Sequence, residues 1–167
     1  MQLPLFQGVS RTSISGIIEK TKFHFLKYKP GEVVVSRGEE CTHLKFLISG
    51  SVRSEMVNKN GKIRVSEVLH APNVLAPNHM FGRNTYYPAD IYAVEDTGIM
   101  QLDKQTFVNI LQSESIVLIN LLNIISRRSQ KSIETFLSLS SGSVKEKLAF
   151  WVLCFTQRRS TDIKVIC

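Results

Sequence analysis

The chain has 167 residues, a hydrophobic fraction of 43% and a net charge of +7, which suits one domain of about 150 residues with an appendage and excludes a disordered protein. The charge is uneven: residues 1–125 carry 13 basic and 11 acidic side chains, residues 126–167 carry 8 and 3. A near-neutral body with a basic end predicts different partners for the two, and nucleic acid is the usual partner of a basic end.

Residues 3–26 place Ile14, Ile17, Ile18 and then Phe23 at helical spacing, with Ser10 or Ser13 as the cap. From residue 28 to 102 the pattern changes to short, β-branched apolar runs: Glu32–Val35, Leu44–Ile48, Val52–Val57, Ile63–Val68, Asp90–Val94 and Ile99–Leu102. Lys29-Pro30-Gly31, Arg37-Gly38, Ser49-Gly50, Asn60-Gly61 and Asp96-Thr97-Gly98 separate them. Regular short strands with glycine turns read as a sandwich or barrel. Asn60-Gly61 is the clearest of these signals, because both residues tolerate the positive φ of a type I′ hairpin turn.

After Leu102 the period lengthens to about 3.6 residues. Asp103 caps a short helix through Gln112. Ser113-Glu114 opens a long one to about Leu139, which Gly142-Ser143 ends. Ser143 caps a further helix, Val144 to Thr156, and Ile163–Ile166 starts a strand. In the long helix Leu118, Leu122, Ile125, Ser129, Ser132, Phe136 and Leu139 recur at spacings of four and three, the seam of a coiled coil. Ile116, Ile119 and Ile124 make a second apolar face. One face is expected against the β domain, the other against the same helix of a second chain.

These residues resemble a known pattern. Lys29-Pro-Gly-Glu-Val-Val-Val-Ser-Arg-Gly-Glu, followed by Leu44-Lys-Phe-Leu-Ile-Ser-Gly-Ser-Val-Arg, is similar to the first half of a cyclic-nucleotide-binding domain. With the hairpin, the short helix and the long helix, the whole resembles a transcription regulator of the Crp/Fnr family. The resemblance implies a mainly β fold with flanking helices: a double-stranded β-helix (jelly roll) sensor over residues 1–112 and a dimerisation helix over 113–140. Residues 141–167 would start a winged helix-turn-helix domain, truncated before the helix that reads DNA. It implies a cytoplasmic homodimer that senses a small-molecule effector and meets DNA through the full-length C-terminal domain. No membrane partner is implied.

Family members that bind cyclic nucleotides use a Gly-Glu pair and an Arg, which supply donors for the phosphate and an acceptor for the ribose. Here Ala76-Pro77 replaces the pair and Tyr87 replaces the Arg, while Ala89, Ile91 and Ala93 fit the pattern. The hydroxyl pair of the central helix falls at Ser132-Ile133, so half of it is gone. Weak or absent cyclic AMP binding follows. Asn78, His79, Arg83, Tyr86, Tyr87 and Ser132 are the candidate lining of an altered pocket. The effector stays open. Haem is one candidate, with His24, His43, His70, His79, Met56 and Met80 as axial residues.

Other classes find little support. No run reaches the ~18–20 apolar residues of a membrane span, and Asn120 and Asn123 interrupt Ile116–Ile125. The first residues lead into no signal peptide. Cys41, Cys154 and Cys167 are too few and too dispersed for a disulfide framework, a zinc pair or an iron–sulfur cluster. No nucleophile elbow, phosphate loop or His-Glu-x-x-His stands in the sequence, so no catalytic residue and no metal ligand is assigned. A cupin-type metalloenzyme is the remaining enzymatic alternative.

Overall fold

The computed structural model describes residues 3–57, 64–140 and 163–166. A 3-10 turn at Pro4–Phe6 precedes α1 (Arg11–Lys20). Ser10 caps α1, its hydroxyl accepting from the Ser13 amide at 3.0 Å. Eight strands follow: β1 (His24–Tyr28), β2 (Val33–Val35), β3 (His43–Ser49), β4 (Ser51–Val57), β5 (Arg64–His70), β6 (Asn73–Leu75), β7 (Asp90–Ala93) and β8 (Thr97–Asp103). Then come α2 (Lys104–Ser113), α3 (Ser115–Ser140) and β9 (Ile163–Ile166).

The strands form two antiparallel sheets, ordered β1-β8-β3-β6 and β2-β7-β4-β5-β9. This is the jelly roll with flanking helices expected from the sequence. Each pair in the β4–β5 register, from Ser51↔His70 to Val57↔Arg64, is symmetric about the Asn60–Gly61 bond. The turn itself lies outside the described residues, as does the expected helix at 144–156. The strand expected at Ile163–Ile166 forms and pairs with β5.

Two strands were not expected. The helical spacing of residues 3–26 runs into β1, and β6 falls between the expected apolar runs. All of β1 except Tyr28 is exposed, so it carries no alternation of buried and exposed residues for a sequence reading to detect. β6 is three residues long and sits between Pro72 and Pro77, which read as turn signals.

Strands β3, β6 and β8 of the first sheet are covered on both sides, because side chains alternate along a strand. Leu44 and Phe46 of β3, Val74 of β6, and Met100 and Leu102 of β8 pack toward the helices, with Leu5, Ile17, Phe107, Ile110, Val117 and Leu121. Leu47, Leu75 and Ile99 face the other way, into the roll, with Val35, Cys41, Val52, Tyr87, Ile91 and Ala93. Asp103 caps α2, a carboxylate oxygen accepting from the Thr106 amide at 2.9 Å.

The helix α3 corrects one expectation. Its inward stripe is Val117, Leu121, Ile124 and Arg128, not Ile116, Ile119 and Ile124. Ile116 and Ile119 are exposed. The side-chain amide of Asn120 donates to the carbonyls of Leu5 (3.0 Å) and Gln7 (2.8 Å), which rotates α3 so that Asn120 faces the N-terminal turn. Leu118, Leu122 (49% exposed) and Phe136 (69% exposed) stay outside, with Ile133 and Leu137. Ile125 of the expected seam differs, being partly buried against the core. Ser129 is exposed.

Candidate functional site

The segment between β6 and β7 begins at Ala76, whose backbone adopts φ 44°, ψ 45°. This left-handed conformation normally falls to glycine. Pro77 disfavours the right-handed helical region for the residue before it and then opens a 3-10 turn over Pro77–His79. Asn78 is exposed and His79 half-buried. Arg83 and Tyr86 lie on the exposed loop, and the backbone of Tyr86 bridges to Glu40.

Tyr87 turns the other way. It is 2% exposed and stands inside the roll. Its amide donates to the Glu39 carbonyl and its carbonyl accepts from the Gly38 amide, both at 2.9 Å. Its phenol reaches the His43 carbonyl at 3.5 Å, a weak bond, and bonds side chain to side chain with Cys41. Burial pushes the Tyr87 phenol far above its ordinary range, and the neighbouring Cys41 adds to this. The buried Cys41 thiol is likewise pushed up by burial, with the Tyr87 bond partly opposing. Both groups are therefore neutral at pH 7.

Lys45 closes the cluster. It is 7% exposed on β3, with its ammonium 5.4 Å from the Tyr87 ring centroid and 3.6 Å from a Glu39 carboxylate oxygen. The roll interior is thus filled by its own side chains: an aromatic ring, a thiol, and a lysine paired at the rim. Sequence reasoning missed Lys45 and Cys41 here. Lys45 interrupts the apolar run Leu44–Ile48 at an inward position, which was the available signal.

The candidate residues do not converge. Tyr87 alone enters the roll. Ser132 stands on the exposed part of α3, where its hydroxyl donates to the Arg128 carbonyl of its own helix at 2.9 Å. The four histidines sit on β1, β3, β5 and the Pro77 turn, and among the described residues no three His, Cys, Asp or Glu side chains group to hold a metal ion. No single helix among the described residues is long and apolar enough to cross a membrane.

Arg128, one of the eight basic residues of 126–167, turns toward the roll. Arg128 donates from Nη2 to the Val74 carbonyl at 2.9 Å, tying α3 to β6. Burial lowers its pKa, with Glu67 acting in the opposite direction. It lines a groove of about 210 Å³ with Pro4, Asn73, Val74, Ile124 and Arg127. Its place in the stripe Val117–Leu121–Ile124–Arg128, at spacings of four and three, was the legible clue.

Two sheets rolled into a jelly roll, a turn with one left-handed residue after β6, and a capped helix after β8 are the features that define this class of domain. Residues 25–114 match the family described as "Cyclic nucleotide-binding domain", and the chain belongs to it. Its sequence is 34% identical over 116 residues to the potassium channel SKOR of Arabidopsis thaliana, covering 66% of this chain and 13% of that protein. The rice potassium channel KOR1 is 28% identical over 115 residues, with 66% and 12% covered. The chain thus spans about an eighth of the length of these relatives.

Among solved structures, the catabolite activator protein of Thermus thermophilus superposes with a TM-score of 0.72 at 21% identity, covering 82% of this chain and 63% of that one. The sensor domain of the transcriptional regulator DNR from Pseudomonas aeruginosa gives 0.64 at 23%, covering 78% and 86%. The c-di-GMP responsive regulator CLP of Xanthomonas campestris gives 0.68 at 12%, covering 90% and 74%. These neighbours share the fold, a jelly roll with C-terminal helices.

Proposed function

We propose that this chain is the sensor and dimerisation part of a cytoplasmic, non-enzymatic transcription regulator of the Crp/Fnr type. Its effector is a small molecule other than cyclic AMP. DNA contact is assigned to the C-terminal domain of the full-length regulator; the described part of residues 141–167, Ile163–Ile166, pairs instead with β5 of the roll. The observation that carries the reading is the two-sided α3. One face is fastened to the roll through Asn120 and the Arg128–Val74 bond. The other leaves Leu118, Leu122, Ile133, Phe136 and Leu137 in solvent. A helix so placed couples the state of the roll to whatever covers its outer face, and a second copy supplies a matching apolar seam. The likeness to catabolite activator protein, DNR and CLP supports the regulator over a channel module, because their alignments span up to 90% of this chain.

The exclusion of cyclic AMP rests on Tyr87 and Pro77. A cyclic phosphate needs cationic and N–H donors. Tyr87 fills the interior from the position of the family's arginine, and Pro77 offers neither the carboxylate nor an amide hydrogen. Haem stays a second candidate effector, on the family resemblance alone. Sedimentation equilibrium tests the dimer. The chain is expected to be dimeric at micromolar concentration, and Leu122→Glu with Phe136→Glu to be monomeric and folded. A monomeric wild type would sink the reading. Calorimetry with cyclic AMP is expected to show no saturable heat, and micromolar binding would overturn the altered pocket.

A further inference from the structure

Arg128 poses a problem that the roll does not solve. Its side chain is half-buried beside Val74 and Ile124. It carries five N–H donors, and its hydrogen bond runs to the Val74 carbonyl. No ion pair within 4.0 Å involves it among the described residues. Glu67 on β5 acts on it only at longer range. Taking a cation out of water is costly unless an anion compensates it. The space beside it is open, about 210 Å³, with Arg127 at the exposed rim and Pro4, Val74 and Ile124 as apolar walls.

We propose that this groove between α3 and β6 binds a small anion with a short apolar body, its carboxylate or phosphate head on Arg128 and Arg127 and its body against Pro4, Val74 and Ile124. The site is separate from the roll interior. Val74 faces the helices, whereas its neighbour Leu75 and the Tyr87 cluster face the roll. A planar guanidinium suits both head groups, which it grips with paired N–H bonds. The field of Glu67 opposes the ligand's charge, and the two arginines outweigh it. Arg128 also holds α3 to β6, so an anion that draws on the same guanidinium alters that link. This last consequence rests on the regulator reading, and the binding itself does not.

The test is isothermal calorimetry of the full chain in a chloride buffer, with hexanoate and with phenyl phosphate as probes. At least one is expected to bind saturably, one per chain, with Kd below about 1 mM. Hexanoate alone would assign a carboxylate head, phenyl phosphate alone a phosphate. Arg128→Gln is expected to weaken binding at least tenfold, while Arg11→Gln, an equal loss of charge on α1, leaves it unchanged. Ile124→Trp, which fills the groove and keeps both arginines, is expected to abolish binding. It decides the matter should Arg128→Gln fail to fold. No binding of either probe by the wild type would overturn the site, as would wild-type affinity in Ile124→Trp or in folded Arg128→Gln. Calorimetry reads the groove without DNA and sedimentation reads the dimer without the anion, so either can fail alone.

Discussion

Tyr87 offers a test in which packing and polarity separate. Tyr87→Phe keeps the ring among Val35, Leu47, Ile91 and Ile99 and removes the hydroxyl. The bond to the His43 carbonyl is long at 3.5 Å, so the lost partner of Cys41 dominates, and the cost is expected at about 1 kcal/mol. Tyr87→Ala removes the ring from a site that is 2% exposed and should cost about 3–5 kcal/mol, since the sheets on either side cannot collapse onto the cavity. Urea unfolding reads both as shifts in midpoint at constant slope. The phenol also makes a pH prediction. Its folded pKa lies well above the ordinary 10.0, so the folded chain holds a proton that the unfolded chain releases. Stability is therefore complete below pH 10 and falls as pH rises above it, by up to about 1.4 kcal/mol per pH unit for this group. Tyr87→Phe should flatten that alkaline fall. If the two alkaline curves superimpose, or if Tyr87→Ala costs less than about 1 kcal/mol, the phenol is not inside the roll.

Three further substitutions probe the frame around the site. Ala76→Gly relieves a left-handed alanine at φ 44° and should raise stability by about 0.5–1 kcal/mol in urea unfolding. Gly50→Ala should be strongly destabilising, by several degrees or more in Tm. A Cβ there would stand 2.6 Å from the Asp96 carbonyl oxygen and 3.0 Å from the Thr97 Cα, at φ +76°. Asp103→Ala removes the α2 cap and should cost about 1 kcal/mol at pH 7. The Asp103 carboxyl is held below its ordinary range by its bonds to Thr106. The wild-type advantage is therefore present above pH 4 and should fade as pH falls through the depressed value.

Much of this fold is local and therefore readable along the chain. The strands β3 and β8 carry near-continuous apolar runs because both of their sides are covered in the first sheet. Ser10 and Asp103 cap their helices through side chains three residues from the amides they accept. The β4–β5 register is centred on the Asn60–Gly61 bond, the place that turn chemistry marks in the sequence. The loss of the phosphate-binding pattern was equally legible, since Ala76-Pro77 and Tyr87 stand in the sequence whatever the fold.

Other facts depend on what lies across space. β1 and β6 exist because β8 and β3 offer them hydrogen-bonding edges, and neither carries a periodic signal of its own. The rotation of α3 brings Asn120 to the carbonyls of Leu5 and Gln7, more than a hundred residues away, and so depends on that packed N-terminal turn. That rotation buries Val117 and Leu121 and exposes Ile116 and Ile119, although all four are apolar. The sequence by itself determined a jelly roll, a long helix after it, a missing cyclic-nucleotide signature and a basic C-terminal end. Only the tertiary structure decided that Tyr87 and Lys45 fill the roll, and that Arg128 leaves the basic surface to bond a strand carbonyl. A side chain's burial is set by its partner's position, and that position is a long-range property of the packed chain.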